Sequence, residues 1–190
     1  MDLLLRLFGG LGIAIPCGFN PYLPLLVISV AGMGKLTTLN PDIGFLSSWT
    51  ALIVLAILVG LDIVADKLPQ IENFYRWVNL LVCPITGGLA MAAITPSNVI
   101  ATPASFAIGL IASELMHLVK NGLRPALINS SKMALAFESM ISMGEDMLVG
   151  VLAILSIGVA ILGGSLSILT LGISFWWMAR LKRRKQPAKI

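Results

Sequence analysis

Asp62 and Asp66 stand four residues apart in one apolar run, and Glu114 and His117 stand three apart in another. On a helix each pair shares one face, about one turn apart in depth. Lys67, Lys120 and Arg124 form a basic layer just beyond them, and Glu145 with Asp146 opens a later apolar run. A carboxylate inside a bilayer is costly unless it is paired, neutralised or wet, so acids at such positions are functional candidates. Three uses fit: a proton relay through the acids and the single histidine, a cation or metal site, and an anion site on the three bases with the acids orienting them. Structural roles compete with each. Asp66 with Lys67, and Glu145 with Asp146, lie near enough to run ends to act as solvated caps. Asp62 and Glu114 can serve as ion-pair partners of Lys120 or Arg124, and His117 as a structural hydrogen-bond donor. A metal is left open: the nine methionines read mostly as packing, and Cys17 and Cys83 as small buried hydrophobes.

The elements that must position these groups follow from composition. Of 190 residues 57% are hydrophobic and 12% charged, which makes lipid the expected solvent. Apolar runs bounded by Gly, Pro and charge predict spans near Leu3–Val30, Trp49–Ala65, Phe74–Ile94, Ile100–Leu118, Met147–Leu162 and Ser165–Met178. The last two would make one helix of about 48 Å, too long for a hydrocarbon core of about 30 Å, so a turn is expected at Gly163 and Gly164. Asp2 offsets Arg6 and no small-residue cleavage site follows, so the start reads as the first span rather than a signal peptide. Pro16, Asn20 and Pro21 lie in a stretch ending at Pro24 that breaks this first span. Freed backbone groups there must face protein or water. The break is either a kink that shapes packing or a ligand-facing broken helix.

The expected fold is an all-α polytopic transmembrane bundle of about six spans, with residues 1–179 as one transmembrane domain and 180–190 as a basic cytoplasmic tail. With both ends of the chain cytoplasmic, twelve of the thirteen basic residues fall inside and Lys35 alone outside. Six of those twelve occupy the last eleven positions, which marks an anchor for anionic lipid headgroups and not a nucleic-acid surface.

The motifs Gly18-Phe19-Asn20-Pro21-Tyr22-Leu23-Pro24, Ala65-Asp66-Lys67-Leu68-Pro69, His117-Leu118-Val119-Lys120-Asn121-Gly122-Leu123-Arg124 and Glu145-Asp146 occur in that order. Together they resemble a family of small bacterial membrane proteins, cyanobacterial ones included, catalogued as domain of unknown function 4126. The resemblance runs from about Gly9 to Leu162 and implies architecture and a choice of residues, but no activity, substrate or cofactor. The family pattern often places Arg before the proline that is Pro84 here, where this chain carries Cys83. A bacterial plasma membrane is the expected location, or a thylakoid membrane in a cyanobacterium.

No catalytic residue is assigned and no cofactor is expected. One histidine excludes two-histidine zinc motifs, and no phosphate loop, prenyl-diphosphate motif or serine triad is present. The leading expectation is a transporter or channel for an ion or small solute. Asp62 and Glu114 would bind a proton or cation, Asp66 and His117 would relay it, and Lys120 and Arg124 would balance charge. The alternatives are a non-transporting subunit that binds anionic lipid or a protein complex, and an intramembrane lipid-phosphate enzyme using Lys67, Lys120, Arg124 and His117. A homo-oligomer is a further expectation for so small a bundle.

Overall fold

Long runs of Leu, Ile, Val and Ala leave the backbone no partner in lipid but itself, so the chain is helical. A computed structural model describes residues 2–65, 72–127 and 134–184. Its α-helices are α1 (Asp2–Ala14), α2 (Leu23–Met33), α3 (Trp49–Ala65), α4 (Glu72–Ile94), α5 (Thr102–Leu127), α6 (Ala134–Gly158) and α7 (Ala160–Arg184). Short 3-10 turns at Pro16–Gly18 and Pro41–Ser47 precede α2 and α3. Among the described residues four helices, α4 to α7, are long and apolar enough to cross a membrane. Pro41–Ser47 with α3, bent by 65°, makes a fifth if that pair is one span.

The outward faces carry Leu, Ile, Val, Phe and Trp in bulk, with Ile173, Phe175, Trp176 and Trp177 all exposed on α7. Such a surface is stable in lipid and not in water. The chain is a multi-pass integral membrane protein.

The first apolar run departs from the expected single span. Side-by-side contacts show α1 parallel to α7: Gly9 lies against Ala160, Gly12 against Gly164, and Ser167 Oγ donates to Gly12 O at 2.9 Å. After the Pro16–Gly18 turn, α2 runs back, since Leu23 lies near Gly150 while Val27 and Val30 line one groove with Ile157 and Gly158 at the end of α6. The first run is therefore a re-entrant hairpin, and it enters and leaves at the end of the bundle where α4 and α6 finish, here the upper end. Its short helices cannot each span a core of about 30 Å.

Two further expectations change with it. Parallel α1 and α7 place the start of α1 at the upper end and the end of α7 at the lower end, beside Gly122. The start of α1 and the end of α7 therefore lie at opposite ends of the bundle, and Arg6 joins Thr37 at the upper end. The turn between the last two helices falls at Val159, not at Gly163 and Gly164, both of which lie inside α7. A Cβ on Gly164 would collide with the backbone of Phe8, and one on Gly163 with Ser156. These glycines are spent on close helix approach, which in lipid replaces the hydrophobic drive to associate.

Candidate functional site

The hairpin turns inside the bundle because its tip finds polar partners there. Gly18 packs on the backbone of Ser113 and His117 in α5, where a Cβ would not fit. The backbone N–H groups of Gly18, Phe19 and Asn20 donate to Ile15 O and Pro16 O. Asn20, 1% exposed, then caps α2: its Oδ1 accepts from the N–H groups of Tyr22 at 3.1 Å and Leu23 at 3.0 Å. Its Nδ2 donates to Asp146 Oδ1 of α6 at 3.0 Å. Asp146 precedes the end of α6 by about 18 Å, which sets the tip well inside a hydrocarbon core.

Lys120 grips the same tip from α5. Its Nζ donates to Phe19 O at 2.5 Å and forms an ion pair with Glu145 at 3.3 Å, the two side chains being 11% and 16% exposed. Adjacent acids of α6 thus reach the hairpin by two routes, Glu145 through Lys120 and Asp146 directly. A charge-assisted hydrogen bond out of water is a strong clasp.

The remaining candidates surround it. Asp62, 7% exposed, completes the buried stripe Leu55, Val59 and Asp62 of α3, while Leu61, Ile63 and Val64 face outward. It lies within electrostatic range of Tyr22 and Cys83, and Cys83 is also in range of Lys120 and Glu114. Glu114 Oε2 is buried and has no hydrogen-bond partner among the described residues. His117, 3% exposed, shares a hydrogen bond of 2.9 Å between Nε2 and Asn121 Nδ2. Among the described residues no three His, Cys, Asp or Glu side chains converge as a metal cluster. Asp66, Lys67 and the side chain of Arg124 lie outside the described residues.

Asn40 has no counterpart in the sequence reading. It is also 1% exposed and its Oδ1 accepts from Asp42 N at 3.2 Å. Its Nδ2 contacts Ala92 O, Thr95 O and Thr102 Oγ1 at 3.1 to 3.2 Å, tying the connection after the hairpin to α4 and α5. The signal was present: Asn40-Pro41 repeats Asn20-Pro21, and Asn before Pro favours a turn that its own side chain can cap.

Residues 7–180 match the family described as Domain of unknown function (DUF4126). The chain belongs to that family. The match takes in nearly all of the re-entrant hairpin, the Lys120–Glu145 pair and α7 as far as Arg180, and leaves the rest of the basic tail outside. No curated protein and no solved structure matches the chain.

Proposed function

We propose that this membrane protein is a small transporter or channel for an ion or small solute, gated by the tip of the re-entrant hairpin. The observation that carries the reading is the clasp of that tip, Phe19 O and Asn20, by Lys120 and Asp146 at membrane depth. Irregular backbone is tolerated there only against protein or a wet cavity, and broken helices of this kind line substrate paths in transporters. Four carboxylates with described side chains, Asp62, Glu114, Glu145 and Asp146, share the neighbourhood with one described ammonium, Lys120. Glu114 and Asp62 receive the cation or proton that moves. Its arrival near Glu145 competes with Lys120, weakens the hold on Phe19 O and releases the tip. A two-state element of this kind needs a bias of only a few kcal/mol.

The test is proton and ion flux into liposomes holding the purified protein, compared with Asp62→Asn and Glu114→Gln. Flux should fall at least tenfold in both variants, which is about 1.4 kcal/mol of lost stabilisation. Unchanged flux in folded variants would sink the assignment.

A second reading is favoured by the lower end of α7, where Arg180 lies 5.1 Å from the ring centroid of exposed Trp176. Trp beside Arg at a helix end is an interfacial anchor. A non-transporting subunit would use it, with the tail, to hold anionic lipid or a partner complex. Such a partner should be lost when Lys182, Arg183 and Arg184 are neutralised, and its retention would count against this reading.

A further inference from the structure

The upper end of the bundle holds a cation that the gate does not use. Arg6 of α1 is partly buried, and among the described residues it makes no hydrogen bond or ion pair. It lines a cavity of about 280 Å³ together with Thr37, Ser156 and Gly158. Ile94, Gly158 and Ala160, all at helix ends, also border this cavity, so it lies at the level where lipid headgroups meet the protein.

Directly beside it, α2 and α6 leave an apolar groove of about 520 Å³ lined by Leu26, Val27, Val30, Leu36 and Ile154 among others. The two spaces share Ile157 and Gly158 in their walls and so lie side by side. Polar and cationic where Arg6 and Thr37 stand, and apolar where α2 meets the end of α6, the combined surface offers partners to an anionic headgroup and to the start of an acyl chain. A partly buried arginine at that level can hold a phosphate through two parallel N–H donors.

We infer that this surface is a binding site for an anionic glycerophospholipid, with its phosphate on Arg6 and Thr37 and one acyl chain in the groove between α2 and α6. The site lies at the opposite end of the bundle from the basic tail and is independent of whether the hairpin gates transport. An occupied groove fills the space behind α2, so the lipid also braces the outer limb of the hairpin.

Native mass spectrometry of the full-length protein, released from detergent with equal phosphatidylglycerol and phosphatidylcholine, tests it. One tightly held phosphatidylglycerol should be retained about tenfold over phosphatidylcholine and should survive neutralisation of Lys182, Arg183 and Arg184. Arg6→Gln should abolish the headgroup preference while still retaining a lipid, and Ile154→Trp, which fills the groove from its exposed side, should lose the lipid whatever its headgroup. Circular dichroism and melting temperature identify any variant that misfolds, and Ile154→Phe then replaces it. Equal retention of the two lipids by the unaltered protein, loss with the tail variant alone, retention unaffected by both site variants, or displacement by millimolar inorganic phosphate would each overturn the inference.

Discussion

Asn20 and Asp146, 126 positions apart in sequence, meet at 3.0 Å inside the bundle. One buried amide at the hairpin tip caps α2 with its oxygen and holds α6 with its nitrogen. Asn20→Ala removes both and should cost about 2–3 kcal/mol, measured by denaturant unfolding in detergent. In a double-mutant cycle with Asp146→Ala, the coupling should be about 1–3 kcal/mol. Additive losses would show that the bond contributes nothing to stability.

Lys120 is held between Glu145 and the carbonyl of Phe19. Lys120→Met removes the ammonium that the carboxylate and the carbonyl share, and should cost about 1–3 kcal/mol by the same unfolding assay. Glu145→Gln should cost less in the Lys120→Met background than alone, because the bond it removes is already gone. If the double variant loses the sum of the two single-variant losses, the pair is not energetically coupled.

Glycines here divide by what surrounds them. A Cβ at Gly164 would strike the backbone of Phe8 and one at Gly87 would strike Ser113, whereas Gly60 and Gly172 face open space. Gly164→Ala and Gly87→Ala should each cost about 1–3 kcal/mol by forcing helices apart. Gly60→Ala and Gly172→Ala should be neutral or should stabilise by about 0.5–1 kcal/mol, because alanine is the better helix former. Melting temperatures that failed to separate the two groups would contradict the close helix crossings.

The parallel course of α1 and α7 predicts that the start of α1 and the end of α7 lie across the membrane from one another. Cys17 and Cys83 are buried, so single cysteines introduced elsewhere report cleanly. Leu3→Cys, at the start of α1, and Arg180→Cys, at the lower end of α7, should react with an impermeant thiol reagent from opposite faces of sealed vesicles. The distribution of basic residues predicts that the Arg180 side is labelled from the cytoplasmic face. Labelling of both from one face would restore a bundle with an even number of crossings.

Apolarity, helix length and proline are local properties, and the sequence by itself determined what depends on them. It determined that the chain is helical and embedded in lipid, that α3 spans Trp49–Ala65, and that the first run breaks between Pro16 and Pro24. The buried acids were legible too, because a charge within an apolar run is visible without a fold. The direction of the chain after the break was not, since Pro21 and Pro24 permit a kink as readily as a reversal. It was decided by Gly18 settling on α5, by Lys120 and Asp146 waiting for the tip, and by α2 packing along α6. Likewise a Gly-Gly pair reads as a turn or as a helix crossing, and only the approach of Phe8 to Gly164 distinguished them. Pairings such as Lys120 with Glu145 and Asn40 with the ends of α4 and α5 join residues distant in sequence, so nothing short of the packed bundle could bring them into view.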